Sequence, residues 1–181
     1  MIFERNGIAT DLYTISEELV HGLPSELSDP YAANTPWTKA VKARLYAIGN
    51  ARGLKTYCHG SKHGGEWLLD VVWMVPNEHH IVLAAESEWG ILPHVEDDFD
   101  KLMSIKAPCK LLLFNTNNHN DADIIINKLQ SNMLAYPYHI AGEEYMLLEV
   151  TASGAFRYYF KVLKDGRQDD ATFDSSNPPL P

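Results

Sequence analysis

Apolar residues recur at helical spacing in two stretches of the first part of the chain. In the stretch 11–21, Leu12, Ile15 and Leu19 fall on one face, which predicts a short amphipathic helix. A longer helix is predicted from Pro36, because proline suits the first turn of a helix. Gly49 and Gly53 are expected to end this helix. Its apolar stripe, repeating about every fourth residue, consists of Trp37, Val41, Leu45 and Ile48.

From residue 55 onward, short apolar runs alternate with helical patterns. Strands are predicted at 55–59, 66–74, 80–89, 109–114, 144–150 and 155–162, and helices at 95–105 and 123–134. Turn residues at 75–79 join the second and third strands into an antiparallel hairpin. The central order of helix, strand, strand, strand, helix, strand predicts an α/β fold, a mixed β-sheet flanked by helices. We expect one domain over residues 1–163 and a polar, poorly ordered tail at 164–181.

The composition is that of a soluble globular protein. The chain has 181 residues, of which 45% are hydrophobic and 22% charged, and this length suits a single core. No apolar run approaches the roughly 20 residues of a membrane span, and the first residues lack the apolar segment of a secretory signal. The two cysteines, Cys58 and Cys109, are too few for a disulfide scaffold. We therefore expect a cytoplasmic protein with no membrane partner.

The charge is acidic overall but uneven along the chain. Against 24 acidic residues there are 15 Lys and Arg, which gives a formal net charge of −9, yet no acidic residue lies between Asp29 and Glu66. A basic segment of this kind can form a nucleic-acid-binding face. The alternative is that its side chains only keep a helix face solvated. The candidates for contacts to a nucleic acid backbone are Lys39, Lys42, Arg44 and Lys62.

Three carboxylates are expected to meet on the central hairpin. Glu86 and Glu88 share one face of their strand because side chains alternate, and a turn centred on Glu78 places Asp70 directly opposite Glu86. A register slip of one residue would turn Asp70 to the other face. Carboxylates this close repel one another unless a cation neutralises them, and oxygen ligands on rigid strands suit Mg²⁺ or Mn²⁺. Asp70, Glu86 and Glu88 are therefore the candidate metal ligands, the alternative being structural or solvent-facing carboxylates.

These elements resemble the core of the PD-(D/E)XK nuclease superfamily, which has the restriction-endonuclease-like fold. Asp70 matches the motif aspartate on the second strand, Glu86 in A-A-E-S-E-W matches the motif acid on the third, and the resemblance covers about residues 36–114. It implies a Mg²⁺-dependent nuclease that acts on DNA, in many members as a homodimer. Glu88 stands where the family usually has lysine. The resemblance therefore implies that Glu88 acts as a ligand or general base, with Lys101 of the following helix as a candidate for the missing positive charge.

Two other functions fit the same sequence. A catalytically inactive protein of this fold, serving as a binding or assembly module, is favoured by the missing motif lysine and by the net charge of −9. A zinc hydrolase would have to use histidines such as His59 and His63, because the sequence contains neither an H-E-x-x-H nor a C-x-x-C motif. The hairpin carboxylates carry the most specific of these predictions, a metal-dependent nuclease.

Overall fold

The computed structural model of the protein describes residues 11–23, 34–58, 68–116, 119–151, 154–164 and 173–176. These residues form four helices and one seven-stranded sheet. None of these four helices has the combination of length and apolar character that a membrane span requires. In chain order the elements are α1 (Leu12–His21), α2 (Asn34–Ala51), β1 (Lys55–Cys58), β2 (Val71–Met74), β3 (Ile81–Glu88), α3 (Leu92–Ser104), β4 (Cys109–Asn115), α4 (His119–Ala135), β5 (Glu144–Thr151), β6 (Gly154–Val162) and β7 (Phe173–Ser176).

The strands lie side by side in the order in which they occur in the chain. β1, β2 and β3 pair antiparallel, β3, β4 and β5 pair parallel, and β5, β6 and β7 pair antiparallel. The predicted α/β fold with a mixed, helix-flanked sheet is confirmed, and α2 to β4 follow the predicted order of elements. The carboxyl ends of β3 and β4 therefore open at one edge of the sheet, which is where α/β sheets usually bind ligands.

Helices cover both faces of the sheet. On one face, Ile15 of α1 and Leu45 of α2 pack in the same core as Leu111 of β4. On the other face, Phe99 of α3 packs in a second core with Leu112 of β4. The apolar stripe predicted for α2 is buried, and the central strands are apolar on both sides because both faces are covered.

Helix α2 runs through Gly49 and ends at Ala51, so the prediction that Gly49 terminates the helix is wrong. A Cβ atom at Gly49 would lie 2.4 Å from the Thr56 hydroxyl oxygen and 2.7 Å from the Trp73 Nε1. Gly49 is therefore needed for the close approach of α2 to the sheet. Gly53, with a φ angle of 72°, makes the left-handed turn that follows the helix.

The polar tail contributes a strand to the sheet. Residues Phe173–Ser176, which fall within the stretch expected to be poorly ordered, form β7 and pair antiparallel with β6. These four residues depart from that expectation, because their backbone pairs with β6 at the edge of the sheet. Residues 165–172 and 177–181 lie outside the described part of the chain.

A buried polar network ties β4 to β5 at the amino ends of these parallel strands. The fully buried Lys110 has its Nζ 3.2 Å from the Glu143 carboxylate, and it donates a hydrogen bond of 2.9 Å to the Tyr145 hydroxyl. His139, also fully buried, lies with its Nδ1 3.2 Å from the same hydroxyl and its Nε2 2.7 Å from the Met133 carbonyl oxygen. The members of this network satisfy one another, so we interpret it as structural.

We expect Lys110→Ala to lower the free energy of unfolding by about 3–5 kcal/mol, because it leaves the Glu143 carboxylate buried without its cation. The matched control is Lys128→Ala, since Lys128 also pairs with a glutamate but is 49% exposed. Loss of that pair should cost at most about 1 kcal/mol. Urea denaturation of the two variants measures the difference, and equal losses would contradict a structural role for the buried network.

Candidate functional site

The hairpin of β2 and β3 places Asp70 next to Glu86. The strands pair Val71 with Ala85 and Val72 with Ala84, so one further step along the ladder sets Asp70 opposite Glu86. The backbone N–H of Asp70 donates a hydrogen bond of 3.0 Å to Glu86 Oε2. The register predicted for this end of the hairpin is therefore confirmed.

The carboxylate of Asp70 is held by α2 and by β3. Its Oδ2 accepts hydrogen bonds from the Ser87 backbone N–H at 3.1 Å and from the Ser87 hydroxyl at 2.6 Å. Its Oδ1 lies 2.7 Å from the Nζ of Lys42, and both side chains are 18% exposed. Lys42 of α2 therefore neutralises the negative charge of Asp70.

Glu86 is the most unusual group of the site, because its carboxylate is buried on a central strand. The residue is 3% exposed, and its Oε1 atom accepts no hydrogen bond from the described residues. Burial raises the pKa of Glu86 to about 8, and the negative charges of Asp70 and Asp98 add to this effect. The hydrogen bond from the Asp70 backbone and the charge of Lys101 oppose the rise without cancelling it.

Helix α3 supplies a lysine to this carboxylate. The Nζ of Lys101 lies 3.6 Å from Glu86 Oε1 and 2.5 Å from Asp98 Oδ1, and its side chain is 45% exposed. Burial alone lowers the pKa of Lys101, but hydrogen bonding to Asp98 and the charge of Glu86 raise it above the ordinary value. Lys101 is therefore a positively charged group with one side toward the solvent and the other toward Glu86.

The position of α3 follows from its sequence. Pro93 stands in the first turn of the helix, where its missing N–H is tolerated. Phe99 and Leu102 are buried against the sheet, which leaves Asp98 and Lys101, three residues apart, as neighbours at the edge of that apolar face.

Glu88 does not join Asp70 and Glu86, so the predicted cluster of three carboxylates is not what the structure shows. The Oε1 of Glu88 accepts a hydrogen bond of 2.6 Å from the Gly90 backbone and lies 3.9 Å from the Nδ1 of His94. Within the described parts of the chain, no three His, Cys, Asp or Glu side chains form a group that could hold a metal ion. The strand ends at Glu88, and the backbone N–H of Gly90, two residues later, binds its carboxylate.

The predicted basic face is largely used for internal contacts. Lys42 points to Asp70, and the Nε of Arg44 donates a hydrogen bond of 3.0 Å to the Glu18 carbonyl oxygen of α1. Lys39 is exposed, in agreement with a role at the surface. Lys62, like the candidate zinc ligands His59 and His63, lies outside the described residues. Lys42 and Arg44 are thus engaged by the Asp70 carboxylate and the Glu18 carbonyl oxygen of the chain itself, and their contact to a nucleic acid backbone stays a prediction.

Sequence reasoning missed two side chains of this site, Ser87 and Asp98, and it gave Lys42 a different role, contact to a nucleic acid backbone. Strand alternation puts Ser87 on the face opposite Glu86, and its contact with Asp70 arises because Asp70 precedes β2 rather than lying in it. Asp98 did carry a signal, because it stands three residues before Lys101 and therefore on the same side of a helix.

Comparison with known proteins adds no further constraint. No protein family model, no curated protein and no solved structure matches the chain. The function is therefore argued from the geometry and the chemistry of the residues around Glu86.

We expect Glu86→Gln to remove a fall in stability between about pH 4.5 and about pH 8. The folded protein keeps a proton on Glu86 up to about pH 8, whereas the unfolded chain releases it near the ordinary pKa of 4.5. The stability that this group contributes is complete below the lower value and is lost progressively as the pH rises from the lower value to the higher one, at up to about 1.4 kcal/mol per pH unit. Urea titrations from about pH 5 to about pH 9 should show that the free energy of unfolding of the variant rises relative to that of the wild type as the pH increases.

Glu88→Gln is the matched control, because Glu88 lies two residues along the same strand but is 26% exposed at its side chain. This variant should follow the pH dependence of the wild type. Parallel stability curves for wild type and Glu86→Gln would contradict the assignment of the raised pKa to Glu86.

Proposed function

We propose that the protein is a metal-dependent nuclease that hydrolyses phosphodiester bonds, with DNA as its substrate. The observation that carries this proposal is the Oε1 atom of Glu86, which is buried without a hydrogen bond from the described residues and lies 3.6 Å from the Lys101 ammonium group. Asp70 lies beside it, immediately before the adjoining strand β2. Two carboxylates and one lysine from separate parts of the chain lie close to one another at this edge of the sheet.

The carboxylates suit Mg²⁺ or Mn²⁺ as the cofactor. Mg²⁺ is usually held by one or two carboxylates, together with waters and the oxygens of a substrate phosphate. Asp70 and Glu86 would be the protein ligands, and the unsatisfied Oε1 of Glu86 is the atom that most needs a cation. A bound divalent cation supplies Lewis-acid polarisation of the phosphate and lowers the pKa of an attacking water.

The remaining side chains position charge around these two ligands. Lys101 is held protonated by Asp98 and Glu86, and its exposed side can stabilise negative charge that develops on a phosphate. In PD-(D/E)XK nucleases this charge usually comes from a lysine at the position that Glu88 occupies here. Lys101 would supply the positive charge instead. Lys42 and Ser87 fix the direction of the Asp70 carboxylate. Glu88 has no role in this proposal, because its carboxylate is bound to the Gly90 backbone.

One observation favours a second candidate function, an inactive binding or assembly module of similar architecture. The ion pair between Lys42 and Asp70, at 2.7 Å, already neutralises Asp70 with a cation of the chain itself. A protein without a metal could retain the site for stability alone. Metal-dependent cleavage separates the two functions, because only the nuclease produces it.

We expect Glu86→Gln and Asp70→Asn to abolish cleavage of DNA in the presence of Mg²⁺ or Mn²⁺. We expect Lys101→Met to lower the rate by about 10²–10³-fold, as removal of a single electrostatic stabiliser does in other enzymes. Assays should include supercoiled, linear double-stranded and single-stranded DNA, with RNA as a further substrate. Circular dichroism shows whether each variant remains folded.

Lys128→Met is the control for Lys101→Met. Both lysines are about half exposed, both pair with an acidic side chain, and Lys128 lies on the other helix, α4. Cleavage should be unchanged in this variant and in Glu88→Gln. Undiminished cleavage by Glu86→Gln, or no cleavage by the wild type on any of these substrates, would overturn the proposal.

A further inference from the structure

A crevice opens at the carboxyl ends of β3 and β4, near the proposed catalytic site. It has a volume of about 380 Å³, which is within the range of small-ligand pockets. Its lining comes from the turn after β3, the first turn of α3, the end of β4 and the first half of α4. The lining residues that matter here are Trp89, Ile91, Asn115, Asp121, Ile124 and Ile125.

Asn115 lines the crevice and carries a hydrogen-bond donor that has no acceptor among the described residues. The residue is the last of β4, it is 5% exposed, and its Nδ2 atom is buried without a hydrogen-bond partner among the described residues. Leaving a buried donor unsatisfied costs about 1–3 kcal/mol, and native proteins rarely do so. A ligand that presents an acceptor to this amide would remove that cost.

The walls of the crevice are apolar and partly open to solvent. Ile91 and Ile124 are 65% and 59% exposed, although both are large hydrophobic residues. Trp89, also in the lining, is buried, with its Nε1 bonded to the Thr38 hydroxyl at 2.9 Å and its ring 5.5 Å from that of Trp37. The lining therefore combines one fixed, buried aromatic side chain with two exposed isoleucines.

The charge of the lining argues against a phosphate as the occupant. Among the described residues of the lining there is no lysine or arginine, and Asp121 contributes a carboxylate. The Gly90 backbone N–H, which would be available to an anion, already donates to Glu88. Apolar walls with one amide donor suit a flat, uncharged ring that carries a hydrogen-bond acceptor. Asparagine recognises nucleobases through contacts of this kind.

The crevice is close to the proposed catalytic site, because Trp89 of its lining directly follows β3, the strand that carries Glu86. Trp89 follows Glu86 by three residues, which corresponds to about 10 Å of extended chain. A nucleic acid strand whose phosphate reaches Glu86 would therefore place a nearby base within reach of the crevice.

We propose that this crevice binds a single unstacked nucleobase of the strand that the enzyme cuts. This inference rests on the proposed nuclease function and assigns to it a second, specificity-determining subsite. Asn115 donates to an acceptor on the base edge, and the apolar side chains cover its faces. Extruding a base from a duplex costs a few kcal/mol, so we infer that unpaired or single-stranded regions are the preferred substrates.

Nuclear magnetic resonance of the isotope-labelled full chain in EDTA tests this without cleavage. The side-chain amide signals of Asn115 are assigned by their loss in Asn115→Asp. We expect the four deoxynucleosides, added one at a time, to shift these signals, and inorganic phosphate to leave them unchanged. A shift caused by inorganic phosphate, or no shift with any nucleoside, would overturn the inference.

Binding of a labelled single-stranded oligonucleotide, measured by fluorescence anisotropy in EDTA, distinguishes a base of the strand from a free nucleoside. We expect Asn115→Asp and Ile124→Glu to weaken this binding about 10-fold or more. Ile124 is exposed, so its variant should fold even where the change at Asn115 does not. Leu134→Glu is the matched control, because Leu134 is also on α4 and 51% exposed but does not line the crevice.

Unchanged oligonucleotide affinity in both crevice variants would overturn the inference, even if free nucleosides shift the Asn115 signals. That result is distinguishable from failure of the proposed function. If the wild type cuts DNA with a divalent metal while the crevice variants bind and cut normally, the nuclease stands and only the base subsite is wrong.

Discussion

The burial of one carboxylate, that of Glu86, is the constraint around which the site is arranged. A carboxylate in an apolar sheet is stable only if it is protonated, paired or bound to a metal. The neighbouring residues lower the cost of burying this carboxylate. The Asp70 backbone donates to it, Lys101 brings a positive charge to its unsatisfied oxygen, and Asp98 holds that lysine in place. The same burial that raises the pKa of Glu86 also makes it a strong candidate to receive a cation.

The rest of the fold serves to keep that carboxylate where it is. Helices α1 and α2 cover one face of the sheet and α3 and α4 the other, so β3 is fixed by packing on both sides. Gly49 allows α2 to approach the sheet closely, and the same helix carries the Lys42 that binds Asp70. At the amino ends of β4 and β5, Lys110 and Glu143 form a buried ion pair of their own, away from the proposed catalytic edge.

Much of this architecture could be predicted from the sequence, because it depends on local patterns. The apolar spacing of α2 and α3, the turn chemistry between β2 and β3, and the alternation along β3 each follow from neighbouring residues. The register that sets Asp70 beside Glu86 needed only the position of the turn. Gly49 shows the limit of such reasoning, since the sequence alone does not tell a glycine that ends a helix from one that allows close packing.

The contacts that could not be predicted join residues from separate elements. Lys42 and Asp70 are far apart in the chain, and no periodicity links them. Glu88 shares a strand face with Glu86 by alternation, yet the hydrogen bond from Gly90 turns its carboxylate elsewhere. The basic segment around Arg44 predicts a binding face, but the Arg44 guanidinium donates a hydrogen bond to the Glu18 carbonyl oxygen of α1. Charge patterns in a sequence do not show which charges the fold will pair internally.

The most direct test of this account is a crystal structure of the protein soaked in Mn²⁺ above about pH 8, where Glu86 has lost its proton. The account predicts a single anomalous density peak between the carboxylates of Asp70 and Glu86. Absence of the peak, with Lys42 still bound to Asp70 and Oε1 of Glu86 still without a partner, would contradict a metal-dependent nuclease.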